Sequence, residues 1–102
     1  MNYILKFLFF VVFFFSFCII FILFHESAHV VFNYNKGVSS SFVITLNGVE
    51  TIPDANQFAL LPQTDKHDLF LAHSFNEAIA YNVFPIGASI LAVLLLLVLK
   101  DE

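Results

Sequence analysis

The sequence predicts a mostly α-helical membrane protein in which two transmembrane helices are joined by a loop of about fifty residues that contains a β-hairpin. Three observations predict this fold class. The 102 residues are 60% hydrophobic and only 12% charged, whereas soluble domains are about 45–50% apolar and about 25% charged. Two apolar blocks are each long enough to cross a bilayer, for which about 20 residues suffice. A strong hairpin signal lies between them.

The composition also excludes several classes of protein. A water-soluble chain of this length cannot bury so much apolar surface in one core, which argues against a soluble enzyme. The net charge is −4 with four basic residues in total, so the chain lacks the basic surface that nucleic-acid binding requires. The single cysteine, Cys18, cannot form an internal disulfide. We therefore expect the lipid bilayer, and no nucleic acid, as a partner.

The first apolar block runs from Ile4 to Phe24 and is interrupted only by Lys6 and Ser16. It is longer than the apolar region of a secretory signal, which has about 7–15 residues, and no small-residue cleavage site follows it. We predict an uncleaved span over residues 3–32.

A loop over residues 33–63 follows, and its central feature is a hairpin from Phe42 to Ile52. Asn47 and Gly48 lie between two runs rich in β-branched residues. An Asn-Gly pair in this setting is a strong short-range signal for a hairpin turn.

The second long helix is predicted over residues 65–99. Residues 55–62 form an apolar connector too short to span, and Thr64 resembles the cap of the helix that follows. Pro85 and Gly87 lie inside this helix, where they predict a bend.

We expect one membrane domain over residues 1–102, with both termini on the same side of the bilayer. Lys6 and Lys100 flank that side together with the amino terminus, and Lys36 and Lys66 lie on the other side. The positive-inside rule then favours cytoplasmic termini by a narrow margin.

The motif that carries chemistry is His25-Glu26-Ser27-Ala28-His29, which fits H-E-x-x-H. Residues four apart lie on one face of a helix, so His25 and His29 can bind one metal ion. Glu26 is close enough to act as general base on a water that the metal activates. Polar side chains at the end of a span are the alternative interpretation, but ionisable groups within a span are costly and usually functional.

From this motif onward the sequence resembles the intramembrane site-2 protease family. Members carry H-E-x-x-H on a transmembrane helix, then Gly after seven residues and a hairpin-like stretch; here Gly37 follows His29 after seven residues. Asn82-Val83-Phe84-Pro85-Ile86 is similar to the family's N-x-x-P-I. The resemblance implies a zinc metalloprotease. The family's Leu-Asp-Gly motif and middle helix are missing, and Ile90 stands where its ligand Asp is expected.

A second resemblance concerns the third ligand. Asn76-Glu77-Ala78-Ile79 is similar to the N-E-A-I helix of thermolysin-like gluzincins, in which Glu is a zinc ligand. This resemblance implies that Glu77 is the third ligand. The gluzincin Asp four residues later is Tyr81 here.

The depth of these residues in the two spans is consistent with one shared site. His25 and Glu77 are each 22 residues from the far ends of their spans, Tyr3 and Leu99. At about 1.5 Å per residue, antiparallel helices would bring them to the same level to within about one turn, since counting from Lys6 and Lys100 instead gives 19 and 23 residues. His29 and His73 match in the same way at 26 residues.

The resulting hypothesis is a Zn²⁺ ion bound by His25, His29 and Glu77, with Glu26 as base. Three further residues are candidates for stabilising the oxyanion or orienting a ligand, namely His73, Tyr81 and Asn82. An interfacial His or Tyr is more often an anchor, and Asn82 has a second interpretation as a cap for the backbone freed by Pro85.

The leading functional hypothesis is a zinc-dependent metallopeptidase that cleaves peptides or membrane proteins near the membrane interface. The hairpin would present an edge strand to an extended substrate. The alternative is a non-catalytic metal-binding or pseudoprotease subunit of a larger complex, and a third reading is a plain two-span structural protein. Because two helices rarely shield a site alone, we expect a homo-oligomer or a membrane partner.

Overall fold

A computed structural model describes residues 2–100 of the chain and is predominantly helical. Two long apolar helices flank a two-stranded antiparallel hairpin, as the sequence predicts at this level, and a short helix follows the hairpin. The elements are, in chain order, α1 (Tyr3–Asn35), β1 (Ser40–Thr45), β2 (Gly48–Pro53), α2 (Ala55–Ala59) and α3 (Gln63–Lys100). Helices α1 and α3 are each long and apolar enough to cross a membrane by length and composition.

Helix α1 ends at Asn35, three residues later than predicted, because a glycine terminates it. Gly37 adopts a left-handed conformation with φ +79°. The N–H of Gly37 donates to the Tyr34 carbonyl at 2.9 Å, and the N–H of Val38 donates to the Asn33 carbonyl at 3.0 Å. These two bonds form the Schellman motif, which commonly ends helices at a Gly.

The hairpin is confirmed, but its turn lies one residue earlier than predicted. Thr45 pairs with Gly48, so Leu46 and Asn47 form the turn. Gly48 has φ +125° and begins β2 instead of ending the turn. The Asn-Gly signal therefore identifies the correct hairpin and misplaces the turn within it.

The hairpin runs back along α1 from the end of that helix. Near its base, the Asn33 amide donates to Ser40 Oγ at 2.8 Å. Further along the hairpin, Thr51 Oγ1 lies 3.2 Å from the Glu26 carbonyl oxygen, almost two turns earlier in α1. Strand β2 is thereby placed beside the H-E-x-x-H segment.

Two details of the chain between the hairpin and α3 differ from the prediction. The connector contains helix α2, which Asp54 caps by accepting from the Gln57 N–H at 2.8 Å. Helix α3 begins at Gln63, and the Pro62 carbonyl accepts its first bond, from the Lys66 N–H at 3.1 Å. Thr64 therefore lies within the first turn and is not the cap.

A charged cluster joins the end of α1 to the start of α3. Lys36 Nζ lies 3.0 Å from Asp65 Oδ1 and 3.1 Å from Asp68 Oδ2. Hydrogen bonds to Asp65 and then Asp68 raise the pKa of Lys36 above its ordinary value. Lys36 therefore remains charged and ties the two helices together at the hairpin end.

Helices α1 and α3 pack antiparallel, with their apolar parts in contact through aromatic rings. The Phe84 ring stacks on Phe17, with 6.0 Å between centroids, and lies 4.7 Å from the Phe21 centroid. Helix α3 is continuous through Pro85. This packing sets the level at which side chains of the two helices meet.

Candidate metal centre

Three potential ligand atoms from α1 and α3 converge at the hairpin end of the helix pair. Both His25 Nε2 and His29 Nε2 face one oxygen of Glu77, at 3.0 and 2.8 Å from Oε1. The two imidazole nitrogens are 3.3 Å apart. The antiparallel pairing predicted from depth is confirmed for His25 with Glu77, and also for His29 with His73.

The dimensions of this triangle suit a metal ion. Tetrahedral zinc with ligand bonds of about 2.0–2.1 Å holds neighbouring ligand atoms about 3.3 Å apart. The two imidazole nitrogens match this spacing at 3.3 Å, whereas Glu77 Oε1 lies closer to them, at 2.8 and 3.0 Å, and would move outwards by a few tenths of an ångström to admit the ion. Two imidazoles and a carboxylate are also the donor set of a common class of catalytic zinc sites.

The charge balance of the triangle favours a cation as well. Glu26 and Glu77 lie on either side of His25, and within residues 2–100 the ion pairs of these two carboxylates are formed only with histidines. The Glu26 side chain is only 11% exposed. A carboxylate held largely out of water, as that of Glu26 is, requires compensation, which a bound dication would supply.

Glu26 is held by the hairpin. Thr51 Oγ1 lies 2.5 Å from Glu26 Oε2, and the other carboxylate oxygen, Oε1, faces His25 Nε2 at 3.9 Å. One oxygen is thus fixed by a hydroxyl from β2 while the other is directed towards the three ligand atoms. This is the placement that a base acting on a nearby water requires.

Behind the ligands, a row of hydrogen bonds fixes His29. His29 Nδ1 lies 2.6 Å from His73 Nδ1, and His73 Nε2 lies 2.9 Å from Asn33 Oδ1. His25 is fixed differently, since the Asn76 amide donates to its backbone carbonyl at 3.0 Å. Both ring nitrogens of His73 are occupied by these hydrogen bonds, and neither is left for an oxyanion. Of the two roles predicted for His73, the geometry therefore favours orienting a ligand.

Two cavities open on the site from opposite sides. A polar cavity of about 370 Å³ lies towards the hairpin and is bordered by Glu26, Glu50, Thr51 and Glu77. An apolar cavity of about 330 Å³ lies between the two long helices. Its lining includes Phe21, Ile22, Ala80, Tyr81 and Phe84 as well as His25, Glu26 and Glu77. Glu26 and Glu77 line both cavities, so the proposed ligand atoms lie where the two cavities meet.

The remaining predicted residues have different positions. Tyr81 is 78% exposed and lines the apolar cavity next to the ligands. Asn82 is not brought to the site, because its amide donates to the Ala78 carbonyl at 2.7 Å on an exposed face. The prediction that it caps the backbone freed by Pro85 is also wrong, since a proline at this position frees the Tyr81 carbonyl. His67 is exposed and lies away from the site.

Four residues of the site were not identified by sequence reasoning. A signal existed for Asn33, which lies four residues after His29 and so continues the face of the two motif histidines. Asn76 is adjacent to Glu77 in the quoted N-E-A-I run. Thr51 and Ser40 carry no sequence signal, because their contacts depend on how the hairpin docks on α1.

Comparison with known proteins adds no assignment. A scan against protein-family models, a search of curated proteins and a search of solved structures each find no match.

Proposed function

We propose that this chain is a zinc-dependent membrane metallopeptidase that hydrolyses peptide bonds near the membrane interface. The observation that carries the proposal is the convergence of His25 Nε2, His29 Nε2 and Glu77 Oε1 within 3.3 Å of one another, with the Glu26 carboxylate beside them. The resemblance of the H-E-x-x-H segment to site-2 proteases, and of the Glu77 segment to gluzincins, supports the same assignment.

Zn²⁺ held by His25, His29 and Glu77 would lower the pKa of a bound water and polarise the peptide carbonyl. The remaining chemistry belongs to the chain. Glu26 Oε1 accepts the proton of the attacking water, and Thr51 keeps the carboxylate turned towards that water. Glu26 then returns the proton to the leaving amine, as a general acid does.

The two cavities support a peptide substrate that reaches the site from the membrane side. The apolar cavity suits a large apolar side chain next to the scissile bond, since Phe21, Ile22 and Phe84 form part of its wall. The polar cavity provides the approach for water. The exposed strands of the hairpin offer backbone groups to an extended peptide.

The membrane placement is part of this proposal. Helices α1 and α3 are the two spans, so the metal site lies at the hairpin-side interface, and the far ends of both helices lie on the other side. We assign that other side to the cytoplasm from the Lys6 and Lys100 charges and the amino terminus.

The test is cleavage of a library of internally quenched peptides, presented in detergent micelles with zinc. We expect Glu26→Gln to lower the rate at least about 100-fold, the lower range for loss of a general base, while zinc remains bound. Glu50→Gln is the matched control, because Glu50 borders the same polar cavity and is exposed. Unchanged cleavage by Glu26→Gln would overturn the catalytic role.

A non-catalytic metal-binding subunit is the second candidate, and one observation favours it. The Glu77 side chain is 44% exposed, so two helices and a hairpin leave the ligands open on one side. A second copy of the chain or a larger membrane partner would close that side. Stoichiometric zinc without cleavage of any library member would select this function over the peptidase.

A further inference from the structure

A row of four side chains connects β1 to the ring of His29. It begins at Ser40 and passes through Asn33, which is only 2% exposed, and then through His73. The contacts measure 2.8 Å from Asn33 Nδ2 to Ser40 Oγ, 2.9 Å from His73 Nε2 to Asn33 Oδ1, and 2.6 Å between the two Nδ1 atoms of His73 and His29. The row therefore joins β1, α1 and α3 behind one proposed ligand.

The row has a direction, because each contact needs one donor and one acceptor. Asn33 donates to Ser40 through its amide nitrogen, so its amide oxygen faces His73 as an acceptor. His73 Nε2 must then carry the proton, and Nδ1 of that neutral ring is an acceptor. His29 Nδ1 therefore donates to His73 Nδ1. When a metal ion lies between His29 Nε2 and Glu77 Oε1, which are 2.8 Å apart, this arrangement puts the ring proton of neutral His29 on Nδ1 and leaves the Nε2 lone pair for the metal.

We infer that His73 is a positioning residue that holds His29 in the form protonated on Nδ1, and that Asn33 and Ser40 set the direction of the row. The inference rests on the proposed function, since it assigns to the row the task of presenting the His29 Nε2 lone pair to the metal. Ligand histidines generally donate their second ring N–H to a fixed acceptor, which sets the tautomer and the ring orientation.

The choice of an imidazole as acceptor has a consequence for charge. Ligand histidines often donate to a carboxylate, which would bring a third acid close to Glu26 and Glu77. Neutral His73 accepts the same hydrogen bond without adding charge. The two carboxylates then balance one dication, and the site selects a divalent ion.

If every hydrogen bond of the row exchanged its donor and its acceptor, His29 could not bind the metal through Nε2. If Ser40 donated to the Asn33 oxygen, the Asn33 amide would donate to His73 Nε2, and His73 Nδ1 would donate to His29. His29 would then carry its proton on Nε2, where the metal must bind. The Asn33 oxygen is the acceptor that fixes the direction of the row. Asn33→Leu removes that acceptor, so we expect it to lower zinc affinity.

The test measures zinc affinity of the full-length protein in detergent micelles by competition with a chromogenic chelator. His73→Phe removes the acceptor and should weaken zinc binding about 10–100-fold, the range for loss of such a partner. His73→Asn places an amide oxygen near the position of Nδ1 and should restore most of the affinity. His67→Phe is the matched control, a histidine exposed on the same helix, and should leave the affinity unchanged.

Each outcome separates this inference from the proposed function. Wild-type affinity in His73→Phe would overturn the inference and leave the metal site intact. Equal losses in His73→Phe and His73→Asn would also overturn it, since the hydrogen-bond acceptor would then not be what His73 contributes. Absence of zinc from the wild-type protein would overturn both proposals.

A second measurement determines the two tautomers directly in the protein with wild-type His29 and His73. Nitrogen-15 NMR of histidine-labelled, zinc-loaded protein distinguishes protonated from unprotonated ring nitrogens, and His→Gln variants assign the signals. We expect the proton on Nδ1 of His29 and on Nε2 of His73. A proton on Nδ1 of His73 would contradict the inference.

Discussion

The two ends of the helix pair differ in construction. We call the end beside the hairpin, which includes the proposed metal site, the hairpin half, and the end with Tyr3 of α1 and Lys100 of α3 the far half. In the hairpin half, polar side chains of α1, α3 and both strands are joined by short hydrogen bonds, and Glu26 and Asn33 are buried. In the far half the helices meet through Phe rings, and most apolar side chains face outwards, as in Phe7, 65% exposed, and Leu97, 53% exposed.

The two halves therefore depend on different surroundings. The geometry of the proposed metal site is set by contacts within the chain. The far half leaves so much apolar surface uncovered that it requires an apolar environment, whether lipid or further helices. The proposed metal site therefore belongs to the hairpin half, and the uncovered apolar surface belongs to the far half.

The largest effect is expected from loss of a proposed ligand in the hairpin half. Glu77→Ala should weaken zinc binding by more than about 100-fold, because about 100-fold is the upper range for loss of a hydrogen-bond partner of a metal ligand. Glu50→Ala is the control, because Glu50 borders the same cavity without approaching the two histidines. Chelator competition measures both variants, and equal affinities would contradict the ligand role of Glu77.

A smaller effect is expected from the hairpin contact to the base. Thr51→Val keeps the shape of the side chain and removes the hydroxyl that lies 2.5 Å from Glu26. We expect kcat for peptide cleavage to fall about tenfold, since hydrogen bonds to charged groups contribute about 1.5–3 kcal/mol and water replaces part of this one. Zinc content should not change. Thr45→Val is the control, because the Thr45 hydroxyl contacts only the turn.

The far half should respond in stability and not in metal affinity. Phe84→Ala removes both ring contacts between the helices and should lower the free energy of helix association by about 1 kcal/mol, the scale of aromatic pairs. Phe9→Ala is the control, because Phe9 stacks on Phe13 within α1. Thermal denaturation in micelles measures the first effect, and a large loss of zinc affinity in Phe84→Ala would show that the two halves are not independent.

The smallest effect is expected at Gly87. A Cβ there would lie 3.4 Å from Phe17 Cζ, an ordinary packing distance. Gly87→Ala should therefore leave zinc affinity unchanged and alter the melting temperature by only a few degrees. A marked destabilisation would mean that the helices approach each other more closely than this contact indicates.

The sequence predicted those parts of the structure that depend on local pattern. Two apolar helices, the hairpin and the face shared by His25 and His29 all follow from periodicity and turn chemistry. Counting residues from the span ends also predicted that His25 meets Glu77, because two straight antiparallel helices fix relative depth.

Other features depended on tertiary contacts and could not be predicted. Thr51 reaches Glu26 only because the hairpin folds back along α1. The direction of the row behind His29 depends on Ser40 lying beside Asn33. The role of Asn82 was misjudged because its side chain bonds to its own helix, an option open to any Asn on an exposed helical face.

The central claim is that His25, His29 and Glu77 bind one zinc ion, and zinc content tests it most directly. Mass spectrometry of metals in the detergent-purified protein should find one zinc per chain in the wild type and in His67→Ala, and almost none in His29→Ala. A wild type without bound zinc, or equal zinc content in His29→Ala, would contradict the account.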